Sequence, residues 1–188
     1  MLFYFYFFKQ LHALGLKLGI YQNVGQTTCM GFPGSLNHLK VDAETFIDWG
    51  VDMIKMDGCL IEPDNDFYTN SYVKFGRYLN RSSKPIVYSC SWPYYQIHHT
   101  ELVIDFKKLA QTCNLWRTYH DITAHWELIL DTIDFCGDNQ RILTKYVGPG
   151  HWNDPDMVTI KCPIFSYNNI LKQLYYLIYY YLATYWSS

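Results

Sequence analysis

Short apolar runs that start about every 30 residues constrain the fold of this chain more than any other feature. They predict buried parallel strands at 16–21, 51–56, 85–89, 115–119 and 142–147. Between these runs, apolar residues three and four positions apart predict helices at 43–49, 67–79, 101–112 and 126–136, and a last helix with Ile170, Leu174, Leu177, Ile178 and Tyr181 on one stripe. The alternation predicts an α/β fold with parallel strands and right-handed crossovers.

The length of the chain limits how such a sheet can close. A complete eight-stranded barrel needs about 250 residues, whereas the chain has 188 residues and five visible βα units. We therefore expect either an open, doubly wound sheet or a piece of a barrel. No linker or charge block divides the chain, so we predict one domain over residues 1–188.

Composition excludes several partners and cofactors. The net charge is −2 and no cluster of Lys or Arg is present, so nucleic acid and anionic membranes are not expected to bind. The longest apolar stretch, 174–186, is shorter than the roughly 20 residues of a spanning helix. The segment MLFYFYFF lacks the basic leader and the cleavage site of a signal peptide. No glycine-rich phosphate loop is present, so we expect no nucleotide and no other cofactor.

Polar and aromatic side chains follow every predicted strand. In parallel α/β folds, ligands bind at the carboxyl ends of the strands. The residues found there are Tyr21, Asn23, Lys55, Asp57, Cys59, Ser91, Trp92, Tyr94, Tyr95, Arg117, Asp121, Trp152, Asp154 and Asp156. Paired carboxylates among aromatic rings are typical of glycoside hydrolysis. A lone Asp at a strand end is more often a helix cap, but Asp57 directly follows an apolar strand in which Lys55 could keep it ionised.

Histidine and cysteine residues give other indications. His120, Asp121 and His125 are not joined by a third ligand at fixed helical spacing, so no metal is expected. The six cysteines form no C-x-x-C pair, which excludes a zinc ribbon and favours pairing across loops. The tripeptide Asn80-Arg81-Ser82 is an acceptor for N-glycosylation and agrees with a secretory route.

Five segments resemble the α-galactosidase and α-N-acetylgalactosaminidase family of melibiase-type glycoside hydrolases, family 27. They are LGLKLGIYQNVGQTTCMGFPGS, DAETFIDWGVDMIKMDGC, LNRSSKPIVYSCSWPYY, CNLWRTYHDI and GPGHWNDPDM, and they cover residues 11 to about 160. The family folds as a (β/α)8 TIM barrel followed by a small antiparallel β domain. The resemblance implies an incomplete barrel of about five to six βα units that lacks the first two strands and the C-terminal β domain.

The resemblance also implies the chemistry. Family members hydrolyse terminal α-linked galactose or N-acetylgalactosamine with retention, so Asp57 in K-x-D-G-C is the expected nucleophile and Asp121 in R-x-x-x-D the expected acid and base. Their carboxyl groups should lie roughly 5 to 5.5 Å apart. The implied sugar contacts are Tyr21, Lys55, Ser91, Tyr94, Tyr95, Arg117 and Asp156, and the implied disulfides are Cys29–Cys59 and Cys90–Cys113. Cys136 and Cys162 have no family counterpart.

The segment 89–95 is implied to select the sugar. The family's galactosaminidases carry Ser and Ala at the positions of Ser91 and Tyr94, whereas its animal galactosidases carry Glu and Leu. Ser91 agrees with the galactosaminidases, but Tyr94 is larger than either choice. We predict a galactosaminidase-related lineage whose pocket is partly refilled and tolerates galactose.

Two readings of activity remain open. The family's W-D-D sugar-binding segment is expected before residue 11, where the sequence reads MLFYFYFFKQ. The chain is therefore either a glycosidase or a truncated, inactive fragment or carbohydrate-binding relic of one, and we expect weak activity at most. Resemblance further implies a lysosomal or secreted location and a homodimer in the full-length form.

Overall fold

A computed structural model describes residues 2–61, 64–97 and 103–156. The helices of this part are α1 (Leu2–Ala13), α2 (Leu39–Trp49), α3 (Asn65–Leu79), α4 (Trp92–Ile97), α5 (Phe106–Thr112), α6 (Trp126–Asp138) and α7 (Gln140–Leu143), and a 3-10 turn covers Thr144–Tyr146. The strands are β1 (Gly19–Asn23), β2 (Met53–Asp57), β3 (Val87–Cys90), β4 (Leu115–Arg117) and β5 (Trp152–Asp154). The predicted alternation of strand and helix is confirmed.

The five strands form one sheet in the order β1-β2-β3-β4-β5, and every neighbouring pair is parallel. A doubly wound sheet reverses its strand order at a switch point. Here each crossover instead adds its strand on the same side as the one before, as in a barrel. The open, doubly wound alternative is therefore wrong, and the sheet is part of a barrel wall.

The register places polar residues in one row at the carboxyl ends of the strands. Asn23 lies beside Asp57 and Arg117 lies beside Asp154. The backbone N–H of Ser91 donates to Met56 O at 3.1 Å, which continues the ladder past the end of β3. Because side chains of paired residues in parallel strands point to the same face, these residues of different strands border one opening.

The other face of the sheet packs against the helices. In β2, Ile54 and Met56 are fully buried, whereas the alternating Lys55 and Asp57 are only half-buried. The buried aromatic residues of the core in the described ranges are Phe8, Phe46, Tyr68, Tyr72, Phe75, Tyr88, Trp92, Phe106 and Trp116. The sheet thus has one dry face and one face that admits solvent, which leaves room for polar chemistry.

Local signals set the ends of several helices. Asp64 caps α3 by accepting from Phe67 N at 2.8 Å, and Asp105 caps α5 by accepting from Lys108 N at 2.9 Å. Helix α2 ends at Gly50, whose φ of 78° lies in the left-handed region that glycine adopts easily. None of the helices in the described ranges is long and apolar enough to span a bilayer.

The prediction of a strand at 142–147 is wrong. Residues 140–146 instead form α7 and the 3-10 turn, and the fifth strand is β5, ten residues after the predicted start. Short apolar runs fit a helix as well as a strand, and Asn139 O accepts from Ile142 N and Leu143 N at 3.0 Å to start the turn. The true strand reads Trp-Asn-Asp, which is too polar to be recognised as an apolar run.

Other boundaries moved by a few residues. Strand β1 begins three residues later than predicted, and in the described chain the helix predicted from 101 begins at Phe106. Helices α1 and α4 were not predicted from the sequence. The predicted helix at 170–181 and Cys162 lie outside the described residues.

An ionic cluster fastens α1 to the end of the sheet opposite the row of polar residues. Asp52, which precedes β2, accepts from His12 at 2.7 Å and from Lys17 and Lys84 at 3.2 Å, and also from Leu18 N at 2.9 Å. Burial tends to raise the pKa of Asp52, but these four donors lower it from 3.8 to about 2. The carboxylate is therefore a structural anion.

Candidate active site

Asp57 is a carboxylate of the polar row that three donors hold in place. It ends β2, and its Oδ1 accepts from Tyr95 Oη at 2.6 Å and from Gly58 N at 2.9 Å. Its Oδ2 accepts from Tyr21 Oη at 2.8 Å. Three donors from three segments therefore orient one carboxyl group. Oδ1 accepts two of them, whereas Oδ2 accepts one and keeps lone-pair capacity for a ligand.

The two tyrosines remain protonated donors at any physiological pH. Partial burial raises the pKa of Tyr21, and so do its hydrogen bond to Asp57 and the charges of Asp57 and Asp121. Burial also raises the pKa of Tyr95, together with the charge of Asp57 and its hydrogen bond to Asp57. A phenol that cannot ionise always offers its proton to the carboxylate.

Close packing fixes the position of Tyr95. Its ring stacks on Tyr68 with centroids 5.5 Å apart and planes inclined by 10°. A Cβ at Gly58 would lie 2.9 Å from both rings. Only glycine fits at position 58, because any side chain would displace the ring whose hydroxyl contacts Asp57.

A disulfide between Cys29 and Cys59 joins two loops beside Asp57. Cys29 Sγ lies 3.0 Å from Tyr21 Oη, and Cys59 Sγ lies 3.2 Å from Tyr95 Oη. The bridge therefore touches both phenols that donate to the carboxylate. It is one of the two pairs that the resemblance implies.

Asn23 fastens the same loops through its amide. Its Nδ2 donates to Thr27 O at 2.7 Å and to Cys59 O at 3.2 Å, and its Oδ1 accepts from Cys59 N at 2.8 Å. The side chain is fully buried. The amide group of Asn23 makes all of these hydrogen bonds to the loops that carry the disulfide. Asn23 therefore supports the site and is not available to bind a ligand.

Cys29, Asp57 and Cys59 also form the one group in the described ranges whose ligand atoms lie close enough to hold a metal ion, within 4.8 Å of one another. Both sulfur atoms belong to the disulfide. Metals bind cysteine as the thiolate, so these residues do not fit a metal centre.

Arg117 lies between two carboxylates of different exposure. Its side chain is 3% exposed and pairs with Asp156 at 2.8 Å and Asp121 at 2.9 Å. Asp156 is 10% exposed, whereas Asp121 is 88% exposed. The buried guanidinium of Arg117 thus pairs with two carboxylates. Asp156 is buried with it, whereas Asp121 remains accessible to a ligand.

Asp156 also shapes the backbone beside Asp121. Its Oδ2 accepts from Ile122 N at 2.8 Å, and its own backbone has a φ of 84°. A non-glycine residue in this region is uncommon and is held there by its surroundings. Asp156 therefore orients the loop of Asp121, a role that the sequence did not indicate beside its implied sugar contact.

The surroundings of Asp57 and Asp121 meet at Tyr94, whose ring centroid lies 5.0 Å from that of Tyr95 and whose hydroxyl contacts His120, the neighbour of Asp121. The charges of both carboxylates raise the pKa of Tyr21, after its partial burial and its hydrogen bond to Asp57. Burial raises the pKa of Tyr94, and the charges of Asp121 and Asp57 raise it further. The implied separation of 5 to 5.5 Å between the two carboxyl groups stays a prediction.

Lys55 and Ser91 lie at the same opening. Lys55 precedes Asp57 by two residues on the same face of β2, in register with Tyr21 and Ser89. Ser91 is 4% exposed and starts the turn into α4, where its carbonyl accepts from Tyr94 N at 3.1 Å. The sugar contacts that the resemblance implies for Lys55 and Ser91 stay predictions.

Tyr94 points toward the segment that carries Asp121. Its Oη and His120 Nδ1 share a hydrogen bond of 3.3 Å, and their rings meet edge to face with centroids 5.6 Å apart. The ring of Tyr95 lies 5.0 Å from that of Tyr94. The sequence did not indicate a role for His120, because no motif joins it to a residue 26 positions away.

The second implied disulfide is buried in the core, and the predicted glycosylation site lies at the end of a helix. Cys90–Cys113 is the second implied disulfide and ties the end of β3 to the end of α5. Asn80 is exposed at the C-terminus of α3. Cys136 is the free cysteine of the described ranges, and burial raises the pKa of its thiol.

Comparison with known proteins identifies relatives of this arrangement. The family described as alpha galactosidase A matches residues 6–179. The α-N-acetylgalactosaminidase of Gallus gallus is 44% identical over 165 residues, which are 87% of this chain and 40% of that protein. The human α-N-acetylgalactosaminidase is 46% identical over 151 residues (80% and 36%), and human α-galactosidase A is 41% identical over 164 residues (87% and 38%).

Solved structures show the same fold. The α-galactosidase of Saccharomyces cerevisiae aligns with a TM-score of 0.66 at 23% identity over 81% of this chain and 37% of that one. α-Galactosidase I of Mortierella vinacea aligns with a TM-score of 0.67 at 23% identity over 84% and 43%. The chain thus spans about 40% of the length of the relatives it matches.

Proposed function

This chain belongs to the alpha galactosidase A family of glycoside hydrolases, and from that membership we propose that it carries the two catalytic carboxylates of a retaining glycosidase for terminal α-linked galactose or N-acetylgalactosamine. Asp57 is the nucleophile and Asp121 is the acid and base. The observation that supports the proposal is that the carboxyl ends of one parallel sheet carry a carboxylate fixed by three donors and a second, exposed carboxylate paired with Arg117.

In the first step, an oxygen of Asp57 attacks the anomeric carbon of the sugar. The bond from that carbon to the leaving oxygen breaks as the bond to Asp57 forms, and the leaving oxygen takes a proton from Asp121. Tyr21 and Tyr95 keep the attacking carboxylate in one orientation. This preorganisation removes the need to order the nucleophile during the reaction.

In the second step, water replaces the leaving group. Asp121, now ionised, accepts a proton from the water while the water oxygen attacks the anomeric carbon and the ester to Asp57 breaks. Two inversions give net retention. The exposure of Asp121 supports this role, because its carboxylate must meet both the leaving oxygen and solvent.

The substituents of the sugar meet the rest of the opening. Lys55, Ser91 and Tyr95 border Asp57, whereas Arg117 and Asp156 lie beside Asp121. Ammonium, hydroxyl and phenol groups match the many hydroxyl groups of a pyranose ring, and the faces of aromatic rings match its apolar C–H groups. We propose that these residues contact the sugar.

Trapping the covalent intermediate tests the proposal. An activated 2-deoxy-2-fluoro-α-galactoside should label the chain, and mass spectrometry should place the added mass on the peptide with Asp57. The label should be absent in Asp57→Asn and present in the control Asp66→Asn, whose residue is exposed on α3. A label on another carboxylate would reject Asp57 as nucleophile.

The competing function is a carbohydrate-binding relic without catalysis. Such a chain would bind galactose, as measured by calorimetry, but would gain no label and release no chromophore from a 4-nitrophenyl α-galactoside. A labelled chain excludes the relic, and binding without a label supports it. Human α-galactosidase A or another active family member, treated in parallel, shows that the reagent works.

We also propose that the protein matures in an oxidising compartment, on the route to the lysosome or the cell exterior. Two disulfides in the described ranges and the exposed Asn80 of the sequon support this location. Expression in a secretory host should give a chain whose mass falls after removal of N-glycans. Asn80→Gln should abolish that difference.

A further inference from the structure

The Tyr94–His120 pair joins two rim segments that come from different βα units. Tyr94 lies in α4 after β3, and His120 directly precedes Asp121 after β4. The hydrogen bond of 3.3 Å and the edge-to-face rings hold the two side chains together. Edge-to-face packing of aromatic rings adds attraction beyond simple burial.

Tyr94 lies between the segments that carry the two catalytic carboxylates. Its ring centroid is 5.0 Å from that of Tyr95, whose hydroxyl donates to Asp57, and its own hydroxyl contacts His120, the neighbour of Asp121. The raised pKa of Tyr94 agrees with this position, because burial raises it and the charges of Asp121 and Asp57 raise it further, whereas Arg117 lowers it. A ligand that spans the two carboxylates therefore meets the ring of Tyr94 as a wall.

We propose that His120 is a specificity-determining residue, which holds Tyr94 as a wall of the sugar site and thereby disfavours a bulky ring substituent. The inference rests on the proposed function. Galactose and N-acetylgalactosamine differ at one ring carbon, where a hydroxyl group is replaced by an acetamido group. A fixed aromatic wall accepts the smaller group, whereas a wall released from His120 can rotate away from the larger one.

The role belongs to His120 as a positioning residue, because the imidazole acts through the Tyr94 ring. His120 is exposed on its other side, so its removal leaves no cavity in the core. The hydroxyl of Tyr94 needs a hydrogen-bond partner at the position of His120 Nδ1. The side-chain amide of asparagine places a polar atom at a similar distance from the backbone. His120→Asn should therefore retain the wall that His120→Ala releases.

The test compares the affinity of the chain for galactose and for N-acetylgalactosamine by calorimetry. The wild-type chain should prefer galactose, and His120→Ala should reduce this preference by about 10-fold, the scale of discrimination that one apolar contact supplies. His120→Asn should keep the preference. His125→Ala is the matched control, since this exposed histidine before α6 makes no side-chain capping hydrogen bond.

Tyr94→Phe provides a second route to the same answer. It removes the hydroxyl group that contacts His120 and keeps the ring, so it should reduce the preference as His120→Ala does. Unfolding temperatures of all variants identify any loss of fold. If the preference is the same in wild type, His120→Ala and Tyr94→Phe, the role of His120 is rejected.

The two hypotheses fail in different ways. A wild-type chain that binds neither sugar overturns the proposed function and the inference with it. If the wild-type chain binds galactose but His120→Ala leaves the ratio of the two affinities unchanged, the inference alone is overturned. A wild-type preference for N-acetylgalactosamine also overturns it, because a wall fixed by His120 would then favour the larger group.

Discussion

The hydroxyl group of Tyr95 donates to Oδ1 of Asp57 at 2.6 Å, across two neighbouring strand ends. The same hydroxyl lies 3.2 Å from Cys59 Sγ, and the ring beneath it stacks on Tyr68. The orientation of the Asp57 carboxylate therefore depends on three uncharged groups: the ring of Tyr68, the sulfur atom of Cys59 and Gly58, which leaves room for the ring of Tyr95. This dependence makes the site sensitive to small changes in packing.

Gly58→Ala should disturb the site through Tyr95. The added methyl group would lie 2.9 Å from the rings of Tyr68 and Tyr95, and overpacking of this kind costs about 1 to 3 kcal/mol. We expect a lower free energy of unfolding in urea and weaker galactose binding. Gly137→Ala is the control: it meets nothing within 4 Å on α6 and should stabilise the chain by about 0.5 to 1 kcal/mol. Equal effects of the two substitutions would contradict the packing argument.

Loss of Arg117 and loss of its exposed partner Asp121 should differ in their effect on the free energy of unfolding. Arg117→Met leaves Asp156 buried without its cation, and the loss of one member of a buried ion pair costs about 3 to 5 kcal/mol. Asp121→Asn removes an exposed charge and should change the free energy of unfolding by less than about 0.5 kcal/mol, although it should abolish proton transfer. Chemical denaturation of both variants measures the difference. A large destabilisation by Asp121→Asn would show that this carboxylate has a structural role.

Removal of each disulfide should separate stability from positioning. The bridges Cys29–Cys59 and Cys90–Cys113 close segments with sequence separations of 30 and 23 residues. Loop-closure entropy predicts nearly equal losses of about 3.5 kcal/mol when each pair is replaced by serine. Only the first bridge touches the phenols of Tyr21 and Tyr95, so only its loss should weaken galactose binding at a temperature where both variants are folded. Equal losses of binding would argue against a positioning role.

Asp52 should make stability depend on pH in the acidic range. Its pKa is lowered to about 2 in the folded chain, so the folded state favours the ionised form. The resulting stabilisation, about 2 kcal/mol, is fully present above the unfolded pKa near 4 and is lost as the pH falls toward 2. The unfolding free energy of Asp52→Asn should lie below that of wild type at pH 7, and the gap should close between about pH 4 and pH 2. The exposed Asp48 on α2 offers a control, because Asp48→Asn should give no such closing gap.

Part of the fold could be predicted from the sequence because its signals are local. Strand β2 shows its apolar residues within a short run, with Ile54 and Met56 buried, and helix α3 shows an apolar stripe and a capping residue. Strand β5 escaped prediction because its stability comes from pairing with β4, which no local pattern records. The apolar residues of 142–147 became helical because Asn139 offers a hydrogen-bonded start to the turn.

The candidate site divides in the same way. Asp57, Asp121 and Arg117 could be named in advance because they follow strands and carry charge. Three other roles could not be predicted, because each depends on a residue from another βα unit. They are the hydrogen bonds of Asn23 to the disulfide loops, the space that Gly58 leaves for two aromatic rings, and the contact of His120 with Tyr94.

The amino-acid sequence by itself determined that the chain alternates strands with helices and gathers its carboxylates at the carboxyl ends of the strands, because period and residue type act over short distances. Tertiary structure alone decided that the strands follow one another without a reversal. It also decided that Arg117 shares its charge between an accessible and a buried carboxylate. These properties arise from contacts between distant segments, whose energies depend on how the chain has folded around them.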